Sequence, residues 1–241
     1  MKLMIPHLWN ITVDTAQQTQ LWLRHRISLE DKFNTENRAS NIVLCDVICD
    51  HDKWPEMLYG AAVLLSWPDL NVISAGYSKC RPLIPYDEDI ISFRHGPCML
   101  LALKNVVDKS QIEPDIIICN GEGIAHPNRF GIACHIGLIT ITPSIGISTS
   151  SNHPVDGDDI IAKEEEYVIS NAIMKEIGFT MQDIKYSSLV GKVLNGYYIS
   201  PGNMVSVASA YSVVKHILKK SNDIIDYAHN EAITFMKSEG N

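Results

Sequence analysis

Hydrophobic positions recur at two different periods along this chain, and the changes of period mark its elements. Ala16, Leu23 and Ile27 fall at helical intervals behind Asp14-Thr15-Ala16-Gln17, which has capping-box spacing, so a first helix is expected over about 14–32. From residue 41 the pattern shortens. Runs at 41–48, 58–66 and 70–79 are β-branched or apolar and separated by turn-rich segments, which predicts three successive antiparallel strands. Helical spacing returns over 93–109, where Leu100, Leu103 and Val107 share a face. A compact strand is expected at 115–119, introduced by Pro114, and another within 136–147. Between them Gly121-Glu122-Gly123 and His126-Pro127 are too rich in Gly and Pro for regular structure and predict a loop. The stretch 152–166 is acidic and polar, an expected exposed excursion; a last short strand at 197–200 precedes two helices near 206–220 and 222–238.

The chain has 241 residues, 46% of them hydrophobic, enough for one sizeable core, so a single domain over 1–241 is expected. No run approaches the roughly 18 apolar residues of a membrane span, and the first residues lack a signal-peptide pattern, so the expectation is a cytoplasmic protein with no membrane partner. The six cysteines, Cys45, Cys49, Cys80, Cys98, Cys119 and Cys134, are scattered and mostly within apolar runs, and no Cys-x-x-Cys pair occurs; buried thiols are expected rather than disulfides or a zinc site built from cysteine pairs. A net charge of −8 argues against general attraction to phosphate backbones, so any nucleic-acid role must rest on a local site.

Several stretches carry a more specific signal. Leu23-Arg24-His25-Arg26-Ile27-Ser28-Leu29-Glu30-Asp31, Cys45-Asp46-Val47, Gly60 to Leu65 and Ser92-Phe93-Arg94 resemble segments of the endonuclease V family, in that family's order. The longest runs from Gly121-x-Gly123-Ile124-Ala125-His126-Pro127-x-Arg129-x-Gly131-x-Ala133-x-His135-x-Gly137 to Pro143-Ser144-Ile145-Gly146-Ile147, and Ser200-Pro201-Gly202 with Val205-Ser206 completes the series. The resemblance covers roughly 20–220. It implies an α/β protein of RNase H-like fold, with a mixed central sheet of three antiparallel strands then parallel strands, flanked by helices, and the order of elements above is compatible with this.

Members of that family cut DNA or RNA on the 3′ side of inosine with magnesium held by an Asp on the first strand, a Glu opening the helix after the third strand and an Asp ending the next strand. Hard divalent ions need such converging oxygens. The resemblance places Asp46 at the first position, but His95 at the second and Asn120 at the third, leaving one carboxylate. The family's Lys falls on Thr149, its His-Arg pair on Asn203-Met204, and a further acidic position on Ala208. Together these changes imply impaired magnesium catalysis, with no cofactor, or magnesium or manganese held weakly through Asp46.

The pocket that takes up the flipped base in the family is better kept, since Gly121 and Gly123 remain. Those glycines are equally compatible with tight turns alone. Leu83, in Pro82-Leu83-Ile84-Pro85, takes the position of a wedging Tyr, or else packs into the core. His126 and His135 match family histidines near the site, and each either faces a phosphate or bonds a loop carbonyl; Arg129 is either a phosphate contact or a solvated surface residue. Glu122 offers a replacement carboxylate; with Asp46 and His95 it would make a mixed nitrogen and oxygen set suited to manganese, iron or zinc, and hence an active endonuclease with a non-standard metal. Cys45 and Cys119 flank the key positions, but strand alternation turns them to the other face. The partners implied are single-stranded or damaged nucleic acid, a nucleoside-like ligand, or a protein.

Overall fold

The structure is a computed structural model that describes residues 3–32, 40–51, 55–149, 166–168 and 189–239. The acidic excursion expected at 152–166 lies, apart from Glu166, outside the described residues. Strands β1 (Ser40–Asp50), β2 (Met57–Trp67) and β3 (Val72–Cys80) form an antiparallel meander. Helix α2 (Ile91–Ser110) then crosses to β4 (Ile116–Asn120), which pairs parallel to β1, and α3 (Ile132–Thr140) leads to β5 (Ser144–Ser148), parallel to β4. Beyond β5 the sheet turns antiparallel again through β8 (Tyr197–Asn203), β7 (Leu189–Leu194) and β6 (Glu166–Val168), giving the order β3-β2-β1-β4-β5-β8-β7-β6. Helices α4 (Val207–Lys220) and α5 (Tyr227–Ser238) follow. This is the RNase H-like arrangement, with an antiparallel edge that the residue pattern did not predict beyond 197–200.

Strand alternation divides the core into two layers. On one face Leu44, Ile118 and Ile145 pack with Val213, Val214 and Ala228 of the last two helices. On the other, Val43, Cys45, Ile117 and Cys119 pack with Leu103 of α2 and Ile136 of α3. All six cysteines are free thiols, and Cys45, Cys98, Cys119 and Cys134 are buried.

Two elements depart from the pattern-based expectation. Helix α1 covers Val13–Leu23, capped by the Thr12 hydroxyl accepting from the Thr15 N–H at 3.2 Å, and gives way to a short 3-10 turn, Arg24–Arg26, well before residue 32. The segment after it is claimed by tertiary pairing: Met204 N–H donates to the Ser28 carbonyl at 2.6 Å, Lys32 N–H to the Met204 carbonyl at 3.0 Å, and Asp31 accepts from Ser206 N–H at 2.7 Å. Helix α3 was not expected, because each of its nine residues is buried and so no polar stripe marks its period.

Candidate functional site

The parallel register of β1 and β4, Cys45 beside Cys119, sets Asp46 and Asn120 next to each other at the ends of the two central strands. Both share the strand face of Leu44 and Ile118, while Cys45 and Cys119 point into the opposite layer. Asp46 is buried, 5% exposed, and both of its carboxylate oxygens accept hydrogen bonds. Oδ1 accepts from the Val47 N–H at 2.7 Å; Oδ2 accepts from the Asn120 amide at 3.0 Å and from Nδ1 of His229 at 2.7 Å. A carboxylate can only accept, so Nδ1 of His229 carries the proton. The bond to Asp46 raises the His229 pKa above its ordinary value, against a smaller opposing effect of partial burial.

His229 comes from α5, outside the stretches that resemble the family, and the residue pattern offered no sign of it: a single His on an amphipathic C-terminal helix looks like any other polar-face residue.

Asp46 and Asn120 lie between two hollows. The first, about 270 Å³, is also lined by Glu88, His95, Gly121, Glu122, His126 and Thr149. The second, about 180 Å³, runs toward α5 and is lined by Tyr197, Asp226 and His229. The structure therefore brings Asp46, His95, Asn120, Gly121, Glu122 and His126 to one pocket. Burial, helped by the neighbouring Arg94 guanidinium and opposed by Asp46, pushes the His95 pKa down to about 4, so this imidazole is neutral at pH 7. Nor do the pocket's acidic groups close on an ion: among the described residues no three His, Cys, Asp or Glu ligand atoms that include Asp46 lie within 4.8 Å of one another.

The glycine loop is held by close approach. A Cβ on Gly123 would sit 2.0 Å from the Pro201 carbonyl oxygen, and one on Gly146 would sit 2.4 Å from the Gly123 nitrogen, so neither position admits a side chain without moving backbone. Gly123 N–H donates to the Ser200 hydroxyl at 2.8 Å, and Gly121, at φ +130°, donates to the Ile147 carbonyl at 2.7 Å. Structure alone thus accounts for these glycines, and it also shapes the pocket wall.

Other candidate residues are placed elsewhere. Arg129 is 6% exposed and donates to the Ile124 carbonyl at 3.0 Å; its expected surface or phosphate-facing position gives way to a loop-bracing one. His135 is fully buried in an aromatic cluster with His7, Trp9, Phe93 and Phe130, bonded to His7 at 2.7 Å and to the Ser92 hydroxyl at 3.1 Å, and does not reach the pocket. His126 is at the pocket but buried, its Nδ1 accepting from the Asn128 N–H at 3.2 Å. Leu83 is not in the core: it is 47% exposed, on a separate shallow groove with Glu56, Arg81 and Arg94. Asn203, in place of the family's His, is buried and links Ser28, Gly137 and Ser144.

The family model of Endonuclease V matches residues 22–224. An endonuclease V of Nostoc sp. is 32% identical over 220 residues, spanning 89% of this chain and 90% of the relative. Among solved structures, endonuclease V from Streptomyces avermitilis superposes with a TM-score of 0.78 at 23% identity over 100% of both chains, and that from Bacillus subtilis with 0.81 at 19% identity over 100% of this chain and 99% of the other. The Ciona intestinalis endonuclease V, in complex with a 23mer DNA containing an inosine followed by a ribo-adenosine, gives 0.77 at 19% identity, over 95% of this chain and 99% of that one.

Proposed function

The chain belongs to the endonuclease V family, and from that premise we propose that it is a catalytically impaired member, a single domain that keeps a pocket for a nucleobase or nucleic-acid end but does not cut. The observation that carries this is the state of Asp46. It is the one carboxylate at the three positions that the resemblance assigns to metal ligands, and the Asn120 amide and His229 imidazole both donate to its Oδ2. Magnesium does not fit this donor set. It requires several hard, anionic oxygens, whereas here two neutral side chains, His95 and Asn120, stand at the other positions and a protonated nitrogen fills the space at Oδ2. Hydrogen-bond donors stand where a cation would bind Oδ2.

The pocket wall that includes Gly121, Glu122 and His126 supports the binding half of the proposal. Backbone groups of such a loop can read the edge of an unstacked base, and the Ciona relative was solved with inosine-containing DNA. The free thiols fit a reducing compartment, the cytoplasm.

The test is cleavage of inosine-containing single-stranded DNA and RNA, with magnesium and then manganese. No product above the buffer control is expected. Turnover that disappears in Asp46→Ala would overturn the reading.

A further inference from the structure

Beside the Asp46 site, the connected end of the β1–β2 hairpin gathers three side chains of different donor chemistry. The ligand atoms of Cys49, His51 and Glu56 all lie within 4.8 Å of one another, the only such His, Cys, Asp or Glu group among the described residues. We propose that these three form a binding site for a borderline transition-metal ion of the zinc class, with a fourth position open to solvent, distinct from the carboxylate site that the family relationship implies.

The spacing supports this. His51 Nδ1 and Glu56 Oε1 are 3.6 Å apart, too long for a hydrogen bond but close to the edge of a coordination tetrahedron, which is about 3.4 Å for metal–ligand bonds of about 2.05 Å. Glu56 also divides its oxygens. Oε2 is paired with the buried Arg94 guanidinium, and Oε1 is left facing His51. Arg94 in turn is anchored to the Ile84 carbonyl at 2.8 Å, so it orients the carboxylate as an outer-shell partner does and leaves one oxygen for an ion. A thiolate, an imidazole and a carboxylate together select zinc over magnesium or calcium, because sulfur is a poor ligand for hard cations. Access is provided by exposure: the His51 side chain is 71% exposed and that of Glu56 32%. Cys49 is three residues from Asp46 along β1, about 10 Å at strand rise, so the two sites cannot share one ion.

Cobalt(II) is the probe, since thiolate ligation gives it a near-ultraviolet charge-transfer band and zinc displaces it. The full chain, stripped with chelator, is expected to develop that band, saturating at one cobalt per chain; zinc should abolish it and excess magnesium should not. Cys49→Ser should remove the band. Asp46→Asn and Cys80→Ser should leave it unchanged, which separates this site from the family's and from the other half-buried thiol. His51→Gln, at an exposed position, should weaken cobalt binding at least about tenfold, since loss of a mere outer-shell partner already costs that much. The proposal is overturned if the parent shows no thiolate band at saturating cobalt, if the band survives Cys49→Ser, if His51→Gln binds as tightly as the parent, or if Asp46→Asn abolishes the band.

Discussion

At Asp46, two oxygens receive three donors, and one of those donors arrives from a helix far along the chain. Rebuilding a metal site therefore needs more than restored charge. His95→Glu with Asn120→Asp sets three carboxylates together and removes the amide donor, but His229 still occupies Oδ2. We expect the double variant to bind manganese where the parent does not, and to bind it more tightly once His229→Ala is added. Calorimetry on the folded variants checks this; no heat from either would mean that the surrounding backbone has left the metal-holding geometry. His95 also makes a pH prediction. Its pKa is lowered from 6.5 to about 4 in the folded protein, so the unfolded chain binds more protons between those values and stability falls as pH drops through that window. At about 1.4 kcal/mol per unit this amounts to on the order of 3 kcal/mol. His95→Gln should flatten the slope of denaturant stability between pH 6.5 and 4. His7 and His135, also lowered by burial, keep part of it.

At the scale of elements, α5 is tied to the sheet by His229 to Asp46 and by the Tyr77 hydroxyl to Glu231. The raised pKa of His229 means that its contribution is full below about pH 6.5 and declines as pH rises through the folded value. Because the side chain is 44% exposed, solvent screening reduces the pair to about 1 kcal/mol. His229→Ala should lower stability by about that much at pH 6 and by less at pH 8, with faster amide exchange confined to α5. The glycine loop behaves differently. Gly146→Ala would drive a Cβ against the backbone of Gly121 and Gly123, which cannot retreat as a flexible side chain would. A loss of about 3 kcal/mol is expected from such overpacking, read as a lowered thermal midpoint.

Over the whole molecule, the net charge of −8 opposes nucleic acid everywhere except where a local feature offsets it. Thr149, Asn203 and Met204 supply no cation where the family has basic residues, and Arg129 is committed to the Ile124 carbonyl. Weak binding to ordinary duplex DNA is expected at about 150 mM salt, with a shallow salt dependence because few counterions are released. Fluorescence anisotropy measures both; a tight complex with a steep salt slope would show that a basic surface has been overlooked. None of the described helices is long and apolar enough to cross a membrane.

The residue pattern alone determined the elements with a strong local signature. The strands β1 and β2, covered on both faces, read as near-continuous apolar runs bounded by turns, while α2 and the two closing helices repeat at a period that reports which face is covered. The ordered motifs from Leu23 to Ser206 determined the family, and with it that Asp46, His95 and Asn120 belong to one place. The tertiary structure decided what periodicity cannot encode. Helix α3 is buried all round and so has no polar face to mark it; the end of α1 is set by pairing with a segment some 175 positions away, and local propensity cannot foresee that bond. It also decided that His135 and Arg129 serve the interior, and that His229 reaches Asp46 across 183 positions. A hydrogen bond between distant residues depends on where the sheet puts them, and only the packed chain contains that distance.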